Sequence, residues 1–169
     1  MDKRKFAFMV LEAVEREEEM RIILICLTLV LMAFSVYADT AEDYFNTGKK
    51  YYYQQDYDKA LEYFQKSFQM QERSGRDPFP VLYMNIGACY LHNGNYTEAE
   101  EYLKKAIKRF PDAWTNKKSL AYSNLGVVYF KKGDFNNAVE CQKKAIQLDP
   151  NNENANKNLA AALKRLDQE

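Results

Sequence analysis

Residues 81–111 read VLYMNIGACYLHNGNYTEAEEYLKKAIKRFP, and the fold can be predicted from their pattern. Its first part carries apolar residues at helical steps. Asn93-Gly94-Asn95 then interrupts the pattern, with Gly94 suited to the left-handed conformation at a helix end. A second apolar stripe follows, with Thr97 as the expected N-cap and Pro111 as the stop. The stretch predicts two amphipathic helices joined by a tight turn.

Three residue types recur along the chain at intervals of 39 positions. They are Gly48, Gly87 and Gly126; Tyr51, Tyr90 and Tyr129; and Ala60, Ala99 and Ala138. Because three independent residue types share one period, the chain contains an internal repeat. The third unit keeps the turn at Gly133-Asp134, whereas the first has Gln54-Gln55-Asp56 where the turn glycine is expected.

These positions resemble the pattern of the tetratricopeptide repeat family, W-x2-L-G-x2-Y, then A-x3-F, then P. The units carry Tyr44, Thr47, Gly48, Tyr51, Ala60 and Phe64; Tyr83, Ile86, Gly87, Tyr90, Ala99, Leu103 and Pro111; and Tyr122, Leu125, Gly126, Tyr129, Ala138, Gln142 and Pro150. The resemblance implies an all-α fold, a right-handed superhelix of helix pairs (an α-α solenoid). It implies repeats at residues 41–74, 80–113 and 119–152 and a capping helix at 153–169.

The repeat departs from the family pattern in three ways. Gln142 replaces a large apolar residue, and Glu72 replaces the proline of the first unit. The period of 39 exceeds the family norm of about 34. The five additional residues, 75–79 and 114–118, are expected to lengthen the second helix of a unit or the loop after it. The glycines and alanines are expected where paired helices approach closely, with the tyrosines between neighbouring units.

The two ends of the repeat region differ in their expected surfaces. After Pro150, an apolar stripe runs opposite polar residues, as in the capping helix that closes a repeat stack. Its members are Ala155, Leu159, Ala162, Leu163 and Leu166. No equivalent helix precedes Ala41, so the tyrosine-rich segment 44–53 is expected to expose an apolar face.

Residues 22–36 carry no charge and form an apolar run that is short for a membrane-spanning helix. The run fits a signal peptide, with Val36-Tyr37-Ala38 as the cleavage site and Met20-Arg21 as its start. Residues 1–19 would then not be translated. Alternatively, residues 1–38 are a retained signal anchor. Both interpretations place the repeats outside the cytoplasm, either secreted or periplasmic after cleavage near Ala38, or anchored to the membrane.

Composition excludes several classes of function. The formal net charge is zero, so the chain has no general attraction for nucleic acid. No phosphate-binding glycine motif occurs. His92 is the only histidine and has no second histidine for a zinc or triad site. Cys89 and Cys141 are expected to be small core residues. A disulfide between them is the alternative, because an exported protein meets an oxidising environment. The sequence predicts no catalytic residue, metal or cofactor.

The resemblance also implies a concave groove lined by the first helix of each unit, which holds an extended peptide or a partner helix. By register, the groove residues are Phe45, Lys49, Tyr52, Tyr53, Met84, Asn85, Ala88, His92, Ser123, Asn124, Val127 and Lys131. Some family members bind a C-terminal carboxylate through a clamp of Lys, Asn and Arg. Of those positions only Asn85 matches, because Phe45, Leu120 and Asn124 stand where a basic residue is required.

The sequence therefore predicts a non-enzymatic protein-interaction module of the bacterial periplasm or cell envelope. Its partner is a protein or peptide, and its membrane contact is limited to an uncleaved N-terminal segment. The alternative is a carrier that holds a small apolar ligand or lipid in an aromatic groove.

Overall fold

The computed structural model describes residues 20–29 and 40–168. The chain divides between Asp39 and Thr40 into two units. In the first unit, residues 20–29 are helical, and their apolar side chains are more than half exposed. No helix within the described ranges is long and apolar enough to cross a membrane. The expected cleavage site at Val36-Tyr37-Ala38 lies outside the described residues.

The second unit consists of seven consecutive helices, and residues 40–168 contain no strand. They are α1 (Ala41–Tyr53), α2 (Tyr57–Arg73), α3 (Pro80–His92), α4 (Tyr96–Arg109), α5 (Thr115–Lys131), α6 (Phe135–Leu148) and α7 (Glu153–Leu166). The first six form three antiparallel pairs, α1–α2, α3–α4 and α5–α6, and each pair packs against the next. The all-α solenoid fold expected from the sequence is confirmed.

Each pair is held together at the repeated glycine. A Cβ atom at Gly48 would lie 2.6 Å from the Phe64 ring, and one at Gly87 would lie 2.8 Å from Cγ of Leu103. In the third pair, Gly126 packs in the same way against Gln142. These contacts are too short for any side chain larger than hydrogen. The expectation of close helix approach at the glycines is therefore correct.

The turn inside each pair has the same backbone geometry. Gly94 and Gly133 have φ of 80° and 81°, and Gln55 occupies the corresponding left-handed position with φ of 62°. A non-glycine residue in this region is strained by about 1–2 kcal/mol. The missing glycine of the first unit therefore costs stability without changing the turn.

One local expectation is wrong, and a second holds in only one of its two places. Thr97 is not the N-cap of α4, because the helix already begins at Tyr96 and Asn95 is the capping residue. The five additional residues also behave differently in their two occurrences. Residues 75–79 lie in the loop after α2, whereas Thr115 to Lys118 begin α5 and lengthen the first helix of the third pair.

The last helix packs against both helices of the third pair. Ala155 and Ala162 are buried, and Ala162 packs in a cluster with Ala138 and Val139 of α6. Leu163 is exposed, so it does not belong to the buried stripe. An Asn152 side chain caps the helix by accepting from the Ala155 N–H at 3.0 Å.

Candidate functional site

A concave cavity of about 710 Å³ runs across the first helices of all three pairs and reaches α7. The residues that line it lie mainly on α1, α3 and α5. They include Phe45, Lys49, Tyr52, Tyr53, Val81, Met84, Asn85, Ala88, His92, Trp114, Lys117, Leu120, Asn124 and Asn154. We call this surface the groove. The second helices of the pairs lie behind it because each packs against its own first helix.

The groove contains nine of the twelve residues that the sequence assigned to it. They are Phe45, Lys49, Tyr52, Tyr53, Met84, Asn85, Ala88, His92 and Asn124. Their part in binding remains a prediction, since the structure contains no ligand. Two of them offer little surface, because Met84 is only 4% exposed and Ala88 5%. These two residues form the floor of the groove and contribute to its shape.

Three predicted residues lie elsewhere. Ser123 is 2% exposed, and its backbone carbonyl accepts a hydrogen bond from Nε2 of Gln142 at 3.0 Å, so this position faces α6. Val127 and Lys131 line a separate cavity of about 170 Å³ between α5, α6 and α7. The packing of α7 across this end of α5 is the reason. Val127 and Lys131 lie one and two turns beyond Asn124, where α7 packs across the end of the pair.

The sequence assignment missed the groove residues at the start of α5. Trp114, Lys117 and Leu120 line the cavity because the additional residues of the third unit extend this helix at its N-terminus. A signal was present, since Trp114, Lys117, Leu120 and Asn124 are spaced three or four residues apart and share one helix face. This spacing was overlooked because residues 114–118 were assigned to the preceding helix or to the loop after it.

Within residues 40–168, three of the five exposed large apolar side chains line the groove. Tyr53 is 78% exposed, Trp114 47% and Leu120 37%. Phe45 is more enclosed, because its ring meets that of Phe79 edge-on at 5.1 Å. Large apolar side chains grouped at the rim of a concave surface are typical of a binding site.

Besides the tyrosine hydroxyls and His92, the polar groups of the groove are amides and cations. Asn85, Asn124 and Asn154 supply hydrogen-bonding groups, and Lys49 and Lys117 supply positive charge. The lining includes no carboxylate, and neither lysine forms an ion pair within residues 40–168. The Lys49 ammonium lies 5.7 Å from the centre of the Phe45 ring. The groove is therefore weakly electropositive.

His92 is fixed by aromatic neighbours at one end of the groove. Its ring stacks on Tyr57 with centroids 4.1 Å apart, and its Nε2 lies 3.3 Å from the Tyr52 hydroxyl. Burial lowers the pKa of His92, which favours its neutral form, and burial raises the pKa of Tyr52 to about 12.

The two cysteines of the repeat region, Cys89 and Cys141, lie away from solvent. Cys89 is buried, Cys141 is half-buried, and both are free thiols. Burial raises the pKa of Cys89 to about 12 and that of Cys141 to about 11, which keeps both thiols protonated and unreactive. Across residues 20–29 and 40–168, no group of three or more His, Cys, Asp or Glu residues could hold a metal ion.

Comparison with known proteins identifies the family. Two family models, both of the tetratricopeptide repeat, match residues 41–74 and 79–151. Together they cover more than half of the 169-residue chain. The chain belongs to the tetratricopeptide repeat family. No curated protein sequence matches it significantly.

Solved tetratricopeptide repeat domains share its fold. The first such domain of human RPAP3 is 25% identical, with a TM-score of 0.65, and the match covers 76% of this chain and 94% of that one. The Arabidopsis OM64 domain is 18% identical, with a TM-score of 0.64 and coverages of 73% and 94%. The second domain of human RPAP3, solved in complex with the HSP70 peptide SGPTIEEVD, is 21% identical, with a TM-score of 0.60 and coverages of 72% and 93%.

Proposed function

We propose that this protein is a non-enzymatic interaction module that binds an extended peptide or a helix of a partner protein in the groove. The observation that carries the proposal is the grouping of exposed apolar side chains, Tyr53, Trp114 and Leu120, around one concave surface. Related domains of the same fold support it, since the second domain of human RPAP3 was solved with an HSP70 peptide.

The chemistry of the groove indicates which partner segments it favours. Apolar or aromatic anchors typically contribute about 2 kcal/mol or more to such a complex, and charges at the rim contribute less. Apolar side chains of the partner should therefore supply most of the affinity. Lys49 and Lys117, with no carboxylate among the lining residues, favour a neutral or acidic segment over a basic one. A chaperone-type carboxylate clamp is not proposed, because Phe45, Leu120 and Asn124 lack the required charge.

Selection from a displayed peptide library with the full-length protein tests this proposal. We expect selected peptides to be rich in apolar and aromatic residues and to remain bound at moderate salt. Leu120→Ala should weaken them by about tenfold, which corresponds to ~1.4 kcal/mol. The matched control is Met70→Ala, since Met70 has the same 37% exposure and lies outside the groove. Lys49→Ala should have little effect. Release by salt alone, or equal loss in the Met70 variant, would contradict the proposal.

A second candidate function is a carrier of a small apolar ligand or lipid. The cavity volume of about 710 Å³ favours it, because sites for small molecules usually enclose about 300–1,000 Å³. Mass spectrometry of the purified protein under native conditions separates the two functions. The carrier function would be supported if a lipid co-purifies in stoichiometric amount and none of the selected peptides displaces it.

We also propose that the repeats act outside the cytoplasm, in the bacterial periplasm or at the cell envelope. The support is the uncharged run of residues 22–36 and the small residues Val36 and Ala38 at the positions that signal peptidase reads. N-terminal sequencing of the protein from an envelope fraction should begin at Asp39. An intact apolar segment in the membrane fraction would instead establish the anchor, and recovery from the cytoplasm would contradict both forms of the proposal.

A further inference from the structure

The cavity of about 170 Å³ between α5, α6 and α7 has room for one six-membered ring. We call it the end cavity. The side chains of Val127 and Phe130 form its apolar walls, and the Phe130 ring is held by an edge-on contact with Phe135 at 5.3 Å. The space is left open by small residues, which are Gly126, Ala138, Ala161 and Ala162. An apolar cavity of about 150 Å³ is large enough to bind benzene.

The end cavity has a closed end and an open end. Gly126, Ala138 and Gln142 of its lining are buried, whereas Lys131 and Ala161 are exposed. A molecule therefore enters past Lys131 and Ala161, and its inner end lies at Gln142.

Gln142 places an unpaired hydrogen-bond acceptor at the closed end. Its Nε2 donates to the Ser123 carbonyl at 3.0 Å, and its amide lies against Gly126, which lines the same cavity. Its Oε1 has no hydrogen-bond partner within residues 40–168, although the residue is only 1% exposed. A buried acceptor without a partner costs free energy, which a donor on a bound molecule would recover.

These two features define the chemistry of the occupant. The apolar walls require a ring-sized apolar group, and Gln142 requires a neutral donor at its inner end. A charged ammonium group is unsuitable, because burying it without a counter-charge is costly. A phenylalanine ring fits the walls but carries no donor. A phenol meets both requirements, and among protein side chains it is that of tyrosine.

The end cavity continues the groove along the same two helices. Asn124 of α5 and Asn154 of α7 line the groove, and Val127 and Asn158, about one helical turn further on, line the end cavity. Side chains at this spacing lie about 5–6 Å apart on a helix surface. Since an extended chain advances about 3.3 Å per residue, a segment held in the groove reaches the end cavity within about two residues.

We propose that the end cavity binds the side chain of a tyrosine that belongs to the partner segment held in the groove. The ring lies between Val127 and Phe130, and the hydroxyl donates to Oε1 of Gln142. The proposal rests on the proposed function for the source of the tyrosine, whereas the binding of a phenol by the end cavity is independent of it.

Two small molecules test the end cavity by itself. They are p-cresol and toluene, which correspond to the side chains of tyrosine and phenylalanine. Amide NMR shifts of the full-length protein measure their binding and locate it. We expect saturable shifts with p-cresol, largest at residues 126–131 and 158–162. Gln142→Leu should lower the preference for p-cresol over toluene, expressed as the ratio of the dissociation constants, at least about tenfold, because it removes the acceptor and keeps the walls.

Two neighbouring alanines of α7 provide a matched pair of variants. Ala160 and Ala161 are both exposed, but only Ala161 lines the end cavity. Ala161→Leu should fill the open end and weaken the binding of p-cresol at least about tenfold. Ala160→Leu should leave it unchanged. Because both side chains are at the surface of the helix, neither variant should prevent folding.

A tyrosine-containing peptide from the library selection tests the source of the phenol. Replacing its tyrosine by phenylalanine should weaken binding to the unmodified protein about tenfold and have much less effect on binding to Gln142→Leu. Ala161→Leu should also weaken the peptide, and Ala160→Leu should not.

The outcomes separate this proposal from the proposed function. A preference for p-cresol that Gln142→Leu leaves unchanged, or shifts confined to the groove, would overturn the phenol site. A peptide that binds in the groove but tolerates both phenylalanine and Ala161→Leu would overturn the tyrosine as occupant and leave groove binding intact. Binding of p-cresol by a protein that selects no peptide would overturn the peptide as the source and contradict the proposed function.

Discussion

The first and second helix pairs have the same pattern of glycine, tyrosine and alanine, yet their first helices differ sharply in burial. Gly48 is the one buried residue of α1, whereas seven residues of α3 are buried, among them Leu82, Ile86 and Cys89. The difference lies in the neighbours, because α3 packs against α2, α4 and α5. In a repeat protein the stability of a unit comes largely from the interfaces with the adjacent units.

This comparison predicts unequal effects of substitutions at equivalent positions. Ile86 is 1% exposed and belongs to the core shared by the first two pairs, whereas Thr47, the equivalent residue of α1, is half-buried. Ile86→Ala should lower the free energy of unfolding by about 3 kcal/mol, through lost burial and the cavity left behind. Thr47→Ala should lower it by less than about 1 kcal/mol. Urea unfolding followed by circular dichroism measures both, and equal losses would contradict the account.

The two interfaces between pairs should also respond differently to acid. Hydrogen bonds from Lys104 and Lys132 lower the pKa of Glu100 from 4.5 to about 2. Its contribution to stability is therefore present above about pH 4.5 and is lost as the pH falls towards 2. The interface of the first two pairs uses the neutral contact between Gln65 and Tyr90 instead.

Glu100→Gln tests this difference. After allowance for solvent screening, it should cost about 1 kcal/mol at neutral pH and flatten the decline in stability between pH 5 and 2. Glu101→Gln, next to it on α4, is the control, because Glu101 pairs only with Lys105 of its own helix. If the Glu100 variant loses stability between pH 5 and 2 as the unmodified protein does, the charged interface is not the cause of that loss.

The third pair differs from the other two at the residue that packs on its glycine. Gln142 is 1% exposed, and its Oε1 has no hydrogen-bond partner among the described residues, whereas Leu103 fills the same position in the second pair. Gln142→Leu should raise the free energy of unfolding by about 1 kcal/mol, since it removes an unpaired buried acceptor.

A second buried glutamine provides the control for that substitution. Oε1 of Gln71 accepts from the Phe79 N–H at 3.2 Å, and its Nε2 donates to Ser67 at 3.4 Å. Gln71→Leu should therefore destabilise by about 1–2 kcal/mol, because it leaves that N–H without its partner. Thermal unfolding of the two variants should move in opposite directions. Destabilisation by both would show that Gln142 is satisfied in solution.

The smallest expected effect concerns the turn of the first pair. Gln55 has a positive φ where the other pairs have Gly94 and Gly133, and a Cβ at either glycine would meet no atom within 4 Å. The cost at Gln55 is therefore in the backbone alone. Gln55→Gly should stabilise the protein by about 0.5–1 kcal/mol, while Gly94→Gln should destabilise it by a similar amount. Chemical denaturation resolves both changes.

Much of the fold follows from the sequence because it rests on local patterns. The 39-residue spacing predicted the seven helices after residue 40, and the position of Gly94 predicted its turn. The contact of Gly87 with Leu103 follows from the same register.

The start of α5 could not be predicted. Residues Trp114 to Lys118 fit a loop as well as a helix, and the packing of α5 beside α3 decides between the two. The groove assignment failed at Trp114 and Lys117 for the same reason. It failed at Val127 and Lys131 because the position of α7 depends on tertiary packing.

The central claim is that the groove is where a partner binds, and the fluorescence of Trp114 tests it directly. Trp114 is the only tryptophan of the chain and is 47% exposed in the groove lining. A saturating peptide from the library selection should shift its emission to shorter wavelength and reduce its quenching by acrylamide at least about twofold, because a partner removes water from the ring. Unchanged emission and quenching while the peptide is fully bound would show that binding occurs elsewhere on the molecule.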